Sequence, residues 1–355
     1  LSSIMDGQTQ TGYQYTNRSD TAEVYDMNGR LQSVTTRTGF AWQLAYDAQD
    51  RLDTVTDSLG KQLDFGYDAN NRVETVTTTG QQVFTYHYDT HGNLWKAVYP
   101  GAAFKEYHYE NTNFVNALTG ISDETATRFS TYRYDTNGRA WQSEHANGVD
   151  QVTFTYEADG NILVTNSLGE SHRNKLSSQN GRIRISETEG VSNPSCCGGN
   201  YQRFGFDDSG VVDTTTDWKG NVTEYDRNAE GLVTLKTQKD ATGTVLRVTD
   251  TTWHPTYHLA DLITEKVPNG SGGYNSVRIT NPEYNTNGQL TSRTVTDPAT
   301  GESRTWTYSY IPTGQPGAGQ LYQIDGPRLP ADVAVITTYH YTPTVMLWKV
   351  ENALG

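Results

Sequence analysis

Cysteine is nearly missing from these 355 residues: there are two, adjacent at Cys196 and Cys197. That excludes a disulfide framework within the chain and a four-thiolate zinc site. Positive charge is also scarce. Lys and Arg number 27 against 41 Asp and Glu, a net charge of −14, which repels phosphate backbones. With no basic stripe to offset it, nucleic acid is not an expected partner. No stretch approaches the ~18 consecutive apolar residues of a bilayer helix, so no membrane span is expected. Hydrophobic residues are 34 % of the chain. Counting Gly and leaving out Tyr, the share is roughly 37 %, against about 45–50 % in ordinary globular domains. Charged residues are only 19 %, too few for charge-driven disorder. Helix signals are sparse, and Asp123 to Arg128 is the one segment with the make-up of a helical turn. No charged-then-apolar leader follows Leu1.

What is present is Tyr (23), Gly (33), Thr and Asn, a mixture suited to half-exposed strands joined by tight turns. It is arranged as a repeat. Aromatic–acidic pairs stand at Tyr25-Asp26, Tyr46-Asp47, Tyr67-Asp68, Tyr88-Asp89 and Tyr109-Glu110, each 21 residues after the last. Looser copies follow at Tyr134-Asp135, Tyr156-Glu157, Phe206-Asp207 and Tyr284-Asn285. Four residues after the aromatic come Gly29, Asp50, Asn71, Gly92, Asn113, Gly138, Gly160, Gly210 and Gly288. Only Gly, Asn and Asp occur there, the residues that tolerate a left-handed backbone, so the position is expected to have positive φ in a hairpin loop. The copy at Tyr225-Asp226 has Ala229 instead, with Gly231 following, and implies a longer loop. The Asp after the Tyr is placed to bond the loop backbone. A second turn per repeat is marked by Gly39, Gly60, Gly80, Gly101, Gly148 and Gly169.

The strand entering each Tyr alternates: Trp42, Leu44, Tyr46, then Leu63, Phe65, Tyr67, then Phe84, Tyr86, Tyr88. Period two implies a packed face and a wet one. The outgoing strands carry Leu31 with Val34, Leu52 with Val55 and Val73 with Val76, a spacing of three that calls for a bulge. Two strands per repeat, each repeat covering its neighbour, give an all-β antiparallel hairpin spiral: one curled, continuous sheet. A single repeat region over 1–355 is expected, with less regular insertions at about 171–200 and 241–273. Asn352-Ala353-Leu354-Gly355 matches the turn elements Asp57-Ser58-Leu59-Gly60 and Asn166-Ser167-Leu168-Gly169. The sequence therefore stops within a hairpin, and truncation at both ends is expected.

The heptad Tyr-Asp-x-x-Gly-Arg-Leu, intact from Tyr25 to Leu31, resembles the YD repeat of bacterial Rhs proteins, with relatives in insecticidal toxin-complex proteins and animal teneurins. The resemblance implies a hairpin spiral wound into a hollow shell. In bacterial members such a shell encloses a C-terminal toxin or effector domain of the same polypeptide, which would be this chain's partner. It also implies a secreted or cell-surface location. Asp297-Pro298-Ala299 and Asp325-Gly326-Pro327 do not reproduce the family's self-cleavage motif in its context, so no protease residues are carried over.

No catalytic, cofactor or metal residue is assigned. The acid column (Asp26, Asp47, Asp68, Asp89) with its Arg column (Arg30, Arg51, Arg72, Arg139) reads as turn-capping acids paired with guanidiniums, not as acid–base machinery. His254 and His258 have metal-pair spacing, but Pro255 breaks the helix that spacing needs. Cys196-Cys197 is either a pair of reduced thiols or a vicinal disulfide, strained because adjacent Cα atoms are ~3.8 Å apart. Trp95, Trp141, Trp218, Trp253 and Trp348 lie off the aromatic ladder. They frame an alternative reading, a surface adhesion module that takes glycans or proteins on exposed aromatics.

Overall fold

The computed structural model describes residues 2–191, 201–312, 315, 317–327, 335–342 and 346–352. Cys196 and Cys197 lie outside them. The chain forms two compact units, one of Leu1–Met27, Val34–Phe40 and Asn221–Gly355, the other of Asn28–Ser33 and Ala41–Gly220. It is all-β: thirty strands and a single 3₁₀ turn at Ala146–Gly148 among the described residues.

Within each unit, strands that follow one another in sequence pair antiparallel. In the second unit, Ala41–Tyr46 pairs with Leu52–Asp57, which pairs with Gln62–Tyr67, which pairs with Val73–Thr78. In the first unit the same meander runs from Val222–Arg227 to Ser303–Tyr310. Pro282 sits inside the strand Tyr274–Tyr284, where the ladder to Ala260–Pro268 ends at Thr280. Its missing N–H therefore breaks no bond on that side.

Most repeats carry a bulge just after the loop, although the hairpin entering Tyr156 pairs without one. Ala45 pairs with Thr54 but Tyr46 with Leu52, leaving Asp53 unpaired. Glu74 is left out in the next repeat and Trp95 in the one after. Further copies leave out Trp141, Tyr322 and Trp348. A bulged residue has no cross-strand partner and projects from the ladder.

Burial is shallow. Ala97, Leu232 and Val248 are the buried apolar side chains among the described residues, and most strand positions are half-buried on both faces. The expected sealed aromatic face is therefore only partly present. Phe65 and Tyr67 are half-buried, but Leu63 is 38 % exposed and Trp42 37 %. Both sit one or two residues from the turn that starts their strand, where in-plane neighbours give the least cover.

Three local expectations change. Asp123 to Arg128 is a hairpin loop with Ala126 at φ 60°, not a helical turn. In the second turn after Thr78, Gln81 takes the left-handed conformation (φ 57°) and Gly80 does not. Asn113 also lacks positive φ. Its loop has expanded between the strands Phe104–His108 and Gly120–Ser122, and Asn111 caps it by accepting from the N–H groups of Asn113 and Phe114. The two stretches read as insertions are largely strand. Ser171–Gln179 and Arg182–Gly190 form a long hairpin on the two-residue turn Asn180-Gly181, both at positive φ, as an Asn-Gly turn favours. Val245–Trp253 and Ala260–Pro268 form another.

Candidate functional site: a repeated tyrosine–aspartate–arginine clasp

The residues singled out by the repeat meet at one loop per hairpin. Oδ1 of Asp47 accepts from the backbone N–H groups of Gln49 and Arg51, both at 2.9 Å, and Oδ2 accepts from Arg51 Nε at 2.8 Å. The loop is a three-residue turn whose last residue, Asp50, stands at φ 60°. Asp68 repeats this with Asn70 and Arg72, and Asp135 with Asn137 and Arg139. At Asp89 the cation is replaced by the Asn93 amide, at 2.9 Å. Gly29, Asn71 and Gly92 have φ of 81°, 61° and 86°. The Arg51 backbone N–H holds the Asp47 carboxyl below its ordinary range, against a smaller opposing effect of desolvation. Arg72 and Arg139 do the same for Asp68 and Asp135.

The second turn uses the same device, which the repeat reading had not assigned. Asp57 accepts from the N–H groups of Leu59 and Lys61, Asn166 from Leu168 and Glu170, and Asp240 from Thr242 and Thr244. The common signal is Asp or Asn three residues before a left-handed Gly, Asn or Asp, present in both turns of the repeat.

Sequence reasoning also missed what the tyrosine hydroxyl does. Tyr46 Oη donates to the Leu31 carbonyl at 2.7 Å, Tyr67 to Leu52 at 2.6 Å and Tyr88 to Val73 at 2.7 Å. Tyr134, Tyr156, Tyr310 and Tyr341 make the equivalent bond. Each hydroxyl reaches the first residue of the preceding repeat's outgoing strand, or for Tyr134 the residue two before it, so the ring spans two hairpins. Desolvation pushes the Tyr67, Tyr88 and Tyr134 phenols up. Tyr25 differs, donating to the Glu23 carboxylate.

The arginine joins neighbours as well. The Arg51 guanidinium lies 4.3 Å from the Tyr67 ring centre and donates to Asn71 Oδ1 at 2.8 Å. Arg72 lies over Tyr88 at 4.4 Å and Arg139 over Tyr156 at 4.1 Å, while Arg30 pairs with Asp50. One Arg thus binds its own loop's Asp, stacks on the next repeat's Tyr and reaches that repeat's loop.

Where Glu replaces Asp the clasp is rewired. The longer side chain does not close the turn. Glu110 pairs with Arg128, and Glu157 with Arg173 through two bonds of 2.7 and 3.0 Å.

The tryptophans fall into separate groups. Trp253 belongs to the ladder after all: it stands where other repeats have Tyr, and its indole N–H donates to the Val233 carbonyl at 3.0 Å. Trp95, Trp141 and Trp348 are bulge residues, 39 %, 37 % and 63 % exposed. Trp218, 38 % exposed, is in a turn. The two histidines of metal-pair spacing are employed apart. His254 Nδ1 accepts from the N–H groups of Thr256 and Tyr257, while His258 Nδ1 faces Asp20.

Residues 8–165 match the family model Teneurin YD-shell. No curated relative matches the chain. Among solved structures, the crystal structure of TcdB2-TccC3-Cdc42 is similar over 95 % of this chain and 22 % of its own, at 16 % identity and a TM-score of 0.42. That of TcdB2-TccC3 has the same coverage and identity with a TM-score of 0.41. The Tc holotoxin pore of Photorhabdus luminescens is similar over 96 % of this chain and 24 % of its own, at 13 % identity and a TM-score of 0.36. The chain thus spans less than a quarter of the length of these structures. The aromatic–acidic pairs from Tyr25 to Tyr156, with the Asp-capped loops and the bridging Tyr and Arg side chains, fall inside the segment that matches the Teneurin YD-shell model.

Proposed function

We propose that this chain is a wall segment of a YD-repeat shell, one repeat region throughout, in a secreted or surface Rhs-type toxin protein, where the curled sheet encloses a C-terminal effector of the same polypeptide. The observation that carries the reading is the clasp. The strong side-chain choices (Tyr, Asp, Arg, the left-handed residue) are used to join one hairpin to the next, as neighbour-to-neighbour stability in a repeat protein requires. On this reading the chain has no catalytic role, takes no cofactor and contributes containment. Limited proteolysis of the polypeptide that carries it tests this. The effector segment should resist protease while the wall is intact and become sensitive when the wall is opened by truncation. Equal sensitivity in both states would eliminate containment.

A second reading has its own observation. The bulge tryptophans Trp95 and Trp348 each lie against a histidine, His87 and His340, in tilted pairs with ring-centre distances of 6.0 and 5.9 Å. Each also precedes a lysine, in a shared Leu-Trp-Lys run. Projecting aromatic rings of this kind suit adhesion to glycans or proteins. Glycan-array binding that is lost in Trp95→Ala and Trp348→Ala would favour it, whereas no binding by the unaltered chain would remove it.

A further inference from the structure

The first unit contains contacts between residues more than 200 positions apart, made by two N-terminal turns and three later loops. Asp20 sits at the left-handed position (φ 58°) of the turn closed by Asn17. Its side chain is 8 % exposed. Its carboxylate accepts from the His258 backbone N–H at 2.9 Å and from the His258 ring, and Arg37 Nη1 approaches it at 3.4 Å. The Arg37 side chain passes over Gly288, where an added Cβ would lie 2.5 Å from Arg37 Cδ. Arg18 passes over Gly231 in the same way. The loops that receive these side chains are themselves tied, since Tyr257 Oη donates to the Thr286 carbonyl at 2.5 Å.

We propose that Asp20, Arg37 and His258 form a latch that closes the N-terminal hairpin turns onto the loops around 254–259 and 285–288, with Arg18 reaching the loop at 228–231 beside it, and that it opens without unravelling the hairpins it joins. The later hairpins are held by backbone ladders of six residue pairs each, as between Val222–Arg227 and Val233–Lys239, and the hairpin that carries Asp20 by four. The contacts from His258 and Arg37 converge on one buried carboxylate, while Arg18 reaches the loop at Gly231 separately. Removing that carboxylate strips two donors and a guanidinium of their shared partner at once, while leaving every ladder bond in place. Gly231 and Gly288 fit this role twice over. Both have positive φ (79° and 67°), and both leave room for an arginine from the other side of the latch.

The latch stands independently of what the wall encloses, and in a shell it marks where the wall parts. Hydrogen exchange followed by mass spectrometry on the intact chain tests it, with Asp20→Ala compared with the unaltered protein. Exchange should accelerate together at 17–21, 36–40, 254–259 and 285–288, by about tenfold or more as expected for losing a buried charged acceptor. Strand amides of 222–227 and 233–239 should not change. Acceleration confined to 17–21 would overturn the proposal, since the distant loops would then not depend on Asp20. Acceleration of the strands would overturn it too, because the carboxylate would then support folding in general. His258→Ala should reproduce the pattern at lower amplitude. Failure of both variants to fold would contradict a separable latch.

Discussion

At the scale of single residues, the clasp assigns different work to the two ends of tyrosine. The ring carries the next-door arginine, and the hydroxyl caps a carbonyl of the preceding hairpin. Tyr67→Phe keeps the ring under Arg51 and removes only the bond to Leu52. Urea unfolding should show a loss of about 1 kcal/mol, and no change would mean that water replaces the hydroxyl at no cost. Protonation sets limits on both sides. Asp47, Asp68 and Asp135 have carboxyl groups depressed by backbone N–H bonds. Their contribution is complete above the ordinary carboxylate value of about 3.9 and is lost as pH falls through the lower folded value. Tyr67, Tyr88 and Tyr134 are raised by desolvation. Their contribution is complete below the ordinary phenol value of about 10 and is lost as pH rises through the higher folded one. Thermal melts from pH 2 to 11 should therefore show a plateau falling below about pH 4 and above about pH 10. A melting temperature that stays level across either limit would count against the corresponding bonds.

At the scale of the element, the hairpin and its loop were legible in the sequence because each residue choice there has one physical use. A Tyr-Asp pair followed by Gly, Asn or Asp is the pattern of an acid-capped turn ending in a left-handed residue. Gly29, Asp50, Asn71 and Gly92 occupy such loops. The spacing of Leu52 and Val55 pointed to the bulge that leaves Asp53 unpaired. What could not be read was anything that depends on a partner outside the repeat. Trp253 looked misplaced because it substitutes for a tyrosine, and the ties of Asp20 to residues near 258 have no periodic signature. Asn113 misled because its side-chain chemistry fits a left-handed turn while the loop around it had lengthened. Glycine substitutions separate the two kinds of information. Gly60→Ala meets only its φ of 77°, with nothing within 4 Å of the new Cβ, and should cost about 1–2 kcal/mol. Gly288→Ala adds a collision with Arg37 and should lower the melting temperature further. Equal effects would show that Arg37 moves aside freely.

At the scale of the whole molecule, the shallow burial is the property to explain. A sheet with Ala97, Leu232 and Val248 as its buried apolar residues among those described gains little from a sealed core. It depends instead on ladders, Asp-capped turns at both edges, and Tyr and Arg side chains that cross from one repeat to the next. Such a construction extends by addition of hairpins without a change of plan, as a wall requires. It also leaves most strand positions half-buried on both faces. Imaging the polypeptide that carries this chain by electron cryomicroscopy tests the central claim most directly. A closed wall surrounding density for a further domain is the expected result, and an open ribbon with both faces in solvent would contradict it.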